Sequence, residues 1–81
     1  MTNLIELRKE IDAINEQLMS LLEKRIEITK RVMSFKDKEG IERYDKIREQ
    51  EIVGKLCNNH NLDKTFIEKI MKLIFEEAKN A

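Results

Sequence analysis

The chain has 81 residues, which is enough for one small domain and too few for two. Its 16 basic and 16 acidic side chains give a formal net charge of zero, which excludes an overall field attracting nucleic acid or a membrane surface. With no proline and only two glycines, the composition is typical of long packed helices, and we expect a soluble all-α protein with a single domain over residues 1-81.

The cysteine content and the amino terminus limit the environment in which the chain works. Cys57 is the single cysteine, so it cannot form an internal disulfide, and with the single histidine, His60, it provides too few ligands for a zinc site. We therefore expect no metal and a cytoplasmic location. The stretch from Met1 to Asp12 is charged and amphipathic, which indicates neither a signal peptide nor a membrane span.

Apolar residues in the first half of the chain recur in alternating steps of three and four, which predicts one long helix from about residue 3 to about residue 37. Such a helix is roughly 50 Å long, whereas a compact globule of this chain length is roughly 30 Å across. One copy cannot cover it, so we expect an intertwined helical homodimer in which two seams pack antiparallel about a two-fold axis. The predicted seam comprises Leu4, Leu7, Ile11, Ile14, Leu18, Leu21, Ile28, Val32 and Phe35.

A second helix is predicted after a charged connector that runs from Asp37 to Tyr44, in which Gly40 permits the turn. Asp45 is placed to cap this helix, which we expect to end near Cys57, before a polar loop over residues 58–61. Its predicted apolar face comprises Ile47, Ile52, Val53 and Leu56.

A third helix is predicted from Asp63, which is placed as its cap, with Leu62 and Ile67 as a hydrophobic staple. The fold class is therefore all-α, with three helices of which the first is very long. The predicted buried face of the third helix comprises Phe66, Ile67, Ile70, Met71 and Ile74.

Arg25 interrupts the apolar pattern of the first helix, with Leu21, Leu22, Ile28 and Thr29 one turn away. An unpaired buried guanidinium is costly, so Arg25 needs either an internal carboxylate or an anionic ligand. In the first alternative it pairs with a glutamate of the partner copy and fixes the register of the dimer. The neighbouring charges favour the second alternative.

Two further cations on the first helix are candidates for the same site. Lys36 lies eleven residues beyond Arg25, so the two side chains point the same way, roughly 16 Å apart along the helix axis. Arg8 lies seventeen residues before Arg25, about 25 Å away, so only an antiparallel dimer could bring it close. Taken singly, Arg8 and Lys36 would be assigned as solvated helix charges.

Arg48 and Glu49 lie one turn before Ile52 and Val53, so they share the predicted buried face of the second helix. The alternative for Glu49 is a surface salt bridge worth less than about 1 kcal/mol. Three cations and two acids around one apolar interior indicate a pocket for a small molecule with two carboxylates and a hydroxyl group.

Four segments carry a resemblance to a known family: residues 7–12 (LRKEID), residues 23–25 (EKR), Lys36, and residues 44–49 (YDKIRE). Their joint spacing, over nearly the whole chain, resembles the all-helical, type II class of chorismate mutases, which are small intertwined dimers of three helices. The resemblance implies an isomerase that rearranges the dianion chorismate to prephenate, in phenylalanine and tyrosine biosynthesis. It also implies that the reaction needs no nucleophile, metal or cofactor.

The resemblance further implies a role for each candidate residue. Arg8 of the partner copy and Arg25 would hold the two carboxylates of the substrate, and Lys36 would donate a hydrogen bond to its ether oxygen. Glu49, with Asp45 at the start of the second helix, would bind the ring hydroxyl. By the same similarity, Arg48 would help to orient the ring and its acid.

The sequence departs from the family pattern on the third helix, where the family usually has a serine and, one turn later, a glutamine or glutamate. Ala78 falls at the serine position, the next-turn position lies past Ala81, and Asn80 is the only nearby amide. Loss of one transition-state donor commonly lowers a rate by about 10²- to 10³-fold. We therefore expect either a weakened mutase or one that is completed by further residues.

Two other functions remain open at this stage. Isochorismate pyruvate lyase has a similar fold and pocket, although Lys36 and the acidic segment from Asp45 to Glu49 favour the mutase. A catalytically silent dimeric regulatory module is the second alternative, and the missing third-helix residues favour it. Such a module should tolerate loss of Arg25, whereas an enzyme should not.

Overall fold

Three α-helices make up nearly all of residues 3–80, the part of the chain that the computed structural model describes. They are α1 (Leu4–Glu39), α2 (Lys46–Asn59) and α3 (Lys64–Lys79), and this part contains no strand. The predicted all-α fold with a very long first helix is therefore confirmed. Met1, Thr2 and Ala81 of the predicted domain lie outside the described residues. None of the three helices is long and apolar enough to cross a bilayer.

Each helix begins in the same way, with an asparagine or aspartate whose side-chain oxygen accepts a hydrogen bond from the backbone N–H three residues later. The three distances lie between 2.9 and 3.1 Å. Such caps satisfy one of the N–H groups that have no partner within the first turn of a helix. The capping residues are Asn3, Asp45 and Asp63, of which the last two were predicted.

The end of α1 is set by Gly40, which adopts a left-handed conformation with φ 70° and ψ 27°. The Gly40 N–H and the Ile41 N–H donate to the carbonyls of Asp37 and Lys36, at 3.4 and 2.7 Å, and satisfy the last turn. The helix thus ends at Glu39, two residues beyond the predicted end near residue 37.

The second helix also differs from its prediction. It continues to Asn59 rather than ending near Cys57, and His60 leaves the helix with an extended backbone (φ −135°, ψ 149°). Ile47, which was assigned to the apolar face, is 69% exposed. The covered stripe of α2 is formed instead by Ile52, Val53, Leu56 and Cys57, to which Ile47 is not aligned at helical spacing.

The core is small and is centred on α3, which packs against both other helices. Met33 of α1 and Ile67, Met71 and Phe75 of α3 are the buried apolar residues in the range described. Of the predicted α3 face, Phe66 and Ile70 are 50% and 37% exposed in a single copy. Their burial stays a prediction for the dimer. Phe75 was not predicted.

One stripe of α1 is partly or fully covered by the chain itself, and it lies entirely in the second half of the helix. Its members are Leu22, Arg25, Thr29, Met33 and Lys36. Arg25 is thus one of the partly covered residues of α1.

The side chains of the predicted apolar seam of α1 are open in a single copy. From Leu4 to Leu21 its apolar side chains are 46% to 62% exposed, and from Ile28 to Phe35 they are 43% to 60% exposed. The chain is accordingly elongated, with principal extents of 58, 24 and 17 Å and a radius of gyration of 16.2 Å. A compact globule of this length would have a radius of gyration of about 12 Å. Thus α1 does extend past the body that α2 and α3 form.

The two glycines provide a matched test of this fold. A Cβ added at Gly40 or Gly54 would meet no neighbouring group within 4 Å. The effect of an alanine on stability therefore depends on the backbone conformation at each position. We expect Gly40→Ala to lower the free energy of unfolding by about 1 kcal/mol, because φ is positive there. Gly54→Ala, inside α2, should raise it by roughly 0.5–1 kcal/mol. Urea unfolding measures both, and effects of the same sign would contradict the assigned backbone.

Candidate active site

A cleft of about 520 Å³ lies where the second half of α1 faces the connector, the start of α2 and the end of α3. That volume is within the range of small-molecule sites. Five cationic and two acidic side chains line the cleft around an apolar floor, so its charge suits a small anion. The charged lining residues are Lys24, Arg25, Lys36, Arg43, Arg48, Asp45 and Glu49.

Arg25 is half-buried at one end of the cleft, where its guanidinium lies over the ring of Phe75, 5.8 Å from the ring centroid. A guanidinium at this distance is attracted by the negative face of an aromatic ring. The ring supports the cation without neutralising it, as a carboxylate would, so the charge of Arg25 stays available to an anion. The side chain of Thr29 donates to the Arg25 carbonyl at 2.8 Å, within the same turn of α1.

Lys36 lies at the other end of the cleft, on the same stripe of α1 as Arg25. Its ammonium Nζ donates a hydrogen bond to the backbone carbonyl of Arg43, at 3.1 Å. A lysine ammonium carries three N–H donors, so this contact orients the group and leaves other donors for a ligand.

The part of the connector that follows α1 is held to the end of that helix by an ion pair between Arg43 and Asp37. Arg43 donates from both Nε and a terminal nitrogen to the two carboxylate oxygens of Asp37, at 2.9 and 2.6 Å. These hydrogen bonds, with the positive charge of Arg43 adding to them, lower the pKa of the Asp37 carboxyl from 3.8, and they raise the pKa of Arg43. A lowered carboxyl pKa means that the pair is fully formed at neutral pH and is lost only in acid.

The start of α2 brings two acids and a second arginine into the cleft. One carboxylate oxygen of Asp45 accepts the capping hydrogen bond from the backbone N–H of Arg48, at 2.9 Å. A carboxylate has further acceptor positions, so Asp45 can cap α2 and still accept a hydrogen bond from a ligand. Glu49 follows one turn into the helix and is half-buried against the cleft.

The end of α3 closes the remaining side. Ala78 lines the cleft, and the neighbouring Lys79 places its ammonium 4.3 Å from the ring centroid of Tyr44 in the connector. This cation–π contact ties α3 to the segment that contains Asp45. Tyr44 does not line the cleft, and its ring faces the ammonium of Lys79.

Six of the seven site residues expected from the sequence line this one cleft, and one does not. Arg8 lies on the open first half of α1, where it is exposed, about 25 Å along the helix axis from Arg25. A single copy therefore lacks this cation. The six that come together are Arg25, Lys36, Asp45, Arg48, Glu49 and Ala78.

Two charged lining residues, Lys24 and Arg43, and the buried ring of Phe75 had been given no place in the site from the sequence. Arg43 could have been identified from Asp37, since the turn at Gly40 brings oppositely charged side chains on its two sides together. No comparable signal marks Phe75, because the third helix has several apolar residues at similar spacing and the packing decides which stripe is buried.

Comparisons with known proteins agree with this geometry. The family model for chorismate mutase type II matches residues 7–81. A chorismate mutase of Methanocaldococcus jannaschii is 35% identical over 79 residues, which span 94% of this chain and 80% of that protein. The structure of a chorismate mutase from Thermus thermophilus superimposes with a TM-score of 0.82 at 30% identity, covering 89% of this chain and 92% of that one. The chain therefore belongs to the type II chorismate mutase family.

Proposed function

We propose that this chain is a chorismate mutase, an isomerase that rearranges chorismate to prephenate, and that the reaction takes place in the cleft described above. The observation that carries the proposal is that Arg25 and Lys36 of α1 line one small cleft together with Asp45 and Glu49. A dianion with a hydroxyl group needs cations at two points and an acceptor at a third.

The rearrangement is unimolecular, so the protein contributes positioning and electrostatics rather than a reacting group. Arg25 binds one carboxylate of the substrate, and Arg48 helps to orient the ring and its acid. Glu49 and Asp45 accept a hydrogen bond from the ring hydroxyl. Together these contacts select the folded conformer in which the two reacting carbons are close, which removes conformational freedom before the barrier is reached.

Lys36 supplies the electrostatic part of the rate enhancement. As the carbon–oxygen bond of the ether breaks, negative charge grows on the ether oxygen. A donor fixed at that oxygen interacts more strongly with the transition state than with the ground state, and only such a difference accelerates the chemical step.

We further propose that the working unit is a homodimer in which each site takes Arg8 from the other copy. The open apolar seam of α1 supports the proposal, since its side chains are about half exposed along the whole helix. An antiparallel partner laid along this seam would cover it and would carry its own Arg8 toward the Arg25 end of the cleft. The second carboxylate of the substrate would then have its own cation.

The proposed compartment is the cytoplasm. Cys57 is a free, half-buried thiol with no second cysteine in the sequence to pair with. Proteins of this size that are stabilised for oxidising compartments usually carry several disulfides.

The first test is direct. Incubated with chorismate, the protein should convert it to prephenate. The loss of the conjugated absorbance of chorismate measures this conversion. Arg25→Ala and Lys36→Ala should each lower kcat/KM by at least about 100-fold, because each removes a charge that stabilises the transition state. Lys30→Ala is the matched control on α1, since Lys30 is exposed and outside the cleft, and it should stay within about 2-fold of the parent rate.

Prephenate formation no faster than the uncatalysed background would remove the proposed activity. Pyruvate release from isochorismate, with chorismate left intact, would assign the lyase instead. Unfolding of Arg25→Ala, seen as loss of helical circular dichroism, would show that Arg25 is needed for structure, and Arg25→Lys would then separate charge from packing.

The shared site has its own test, based on mixing two inactive variants. Arg8→Ala and Arg25→Ala should each be nearly inactive, but a mixture unfolded and refolded together should regain about a quarter of the parent activity. Half of the random dimers contain one copy of each variant, and one of the two sites in such a dimer has both arginines.

No recovery on mixing, with dimers of the two variants demonstrably formed, would mean that Arg8 acts within its own chain or not at all. Mixing Arg25→Ala with Lys36→Ala is the matched control. Both of these residues line the same cleft of one chain, so no mixed dimer has an intact site and the activity should stay low.

A further inference from the structure

We propose that Asp37 and Arg43 are positioning residues of this enzyme: their ion pair holds the Arg43 carbonyl against the Lys36 ammonium and so fixes Lys36 in the cleft. The inference rests on the proposed function for its catalytic consequence. Its structural part, the restraint of Lys36, can be tested without any reaction.

The geometry forms a closed ring of contacts at the end of α1. Lys36 and Asp37 are adjacent in sequence, and Gly40 turns the chain back in a left-handed conformation. The Asp37 carboxylate accepts both hydrogen bonds of the Arg43 guanidinium, at 2.9 and 2.6 Å. The Arg43 carbonyl then accepts from Lys36 Nζ at 3.1 Å, which completes the ring.

The ring matters because lysine is a poor fixed donor by itself. Its ammonium sits on a flexible four-carbon stem, so an unrestrained lysine loses much rotamer freedom when it binds a substrate atom. A carbonyl that already holds the ammonium removes this freedom before the substrate arrives. The transition state then meets a donor whose position is set, which is the condition for effective electrostatic stabilisation.

A purely structural role does not account for the pair. The Asp37 and Arg43 side chains are 52% and 46% exposed, and exposed ion pairs contribute little to folding. The same helix carries a comparison pair, Glu27 and Arg31, joined by one contact of 3.5 Å with side chains 70% and 76% exposed. That pair lies outside the cleft.

The experiment is a double-mutant cycle with Asp37→Asn, Arg43→Gln and the double variant. Each single variant should lower kcat by roughly 10-fold with little change in KM, because a misplaced donor weakens the transition state more than the ground state. The double variant should be no worse than either single variant. Glu27→Gln should leave kcat unchanged, and all melting temperatures should stay within about 3 °C of the parent.

Variants made in the Lys36→Ala protein test whether the ion pair affects kcat through Lys36. If the pair acts through Lys36, adding Asp37→Asn to Lys36→Ala should lower kcat no further. An equal 10-fold loss in both backgrounds would overturn the proposal. So would a raised KM in Arg43→Gln together with an unaffected Asp37→Asn, which would mean that Arg43 contacts the substrate itself.

The reaction-independent measurement is nitrogen-15 NMR of the Lys36 ammonium in the full chain without substrate. We expect its protons to exchange with water more slowly in the parent than in Asp37→Asn or Arg43→Gln, and Glu27→Gln should match the parent. Equal exchange in all four proteins would overturn the proposal even if the parent is active. An inactive parent with the expected exchange pattern would refute the proposed function and leave the restraint of Lys36 supported.

Discussion

The length of α1 is the constraint on which the rest of the structure depends. Thirty-six residues in one helix exceed what α2 and α3 of the same chain can cover, and their packing reaches only the second half of it. The four buried residues of the described chain make a very small core, and domains of this size are marginal even when compact. The same excess length separates Arg8 from the cleft, so in the proposed dimer one association would both cover the helix and complete the site.

Much of this fold could be predicted from the sequence, because its decisive signals are local. An aspartate ahead of a helical pattern caps the helix wherever the helix packs, and this held for Asp45 and Asp63. The choice of buried stripe was less predictable. The apolar residues of α3 form two adjacent stripes, and only packing against α1 and α2 selects the one with Phe75 over the one with Phe66. Two helix ends were placed two residues early, because the end of the apolar pattern and the start of a polar segment, rather than backbone conformation, were taken as the stop signals.

The candidate site was predictable to the extent that its charges lie on one helical stripe. The spacing of Arg25 and Lys36 places them on one face of α1, and the structure puts both on the cleft. The spacing could not show which groups hold these two side chains in place. Arg25 lies over the ring of Phe75, which is distant in sequence. Lys36 is held by the carbonyl of Arg43, which lies across the turn that follows α1. A cation that is held by an aromatic ring or a carbonyl keeps its charge for a ligand, as the proposed site requires.

The mass of the folded protein in solution tests the central claim most directly. One chain has a mass of 9.7 kDa. Sedimentation equilibrium at micromolar concentration should give about twice that value. On dilution or in urea, the dimer should dissociate and the helical circular dichroism should be lost in one transition, because neither copy can cover α1 alone. A monomer of single-chain mass that stays fully helical and unfolds cooperatively would contradict the account.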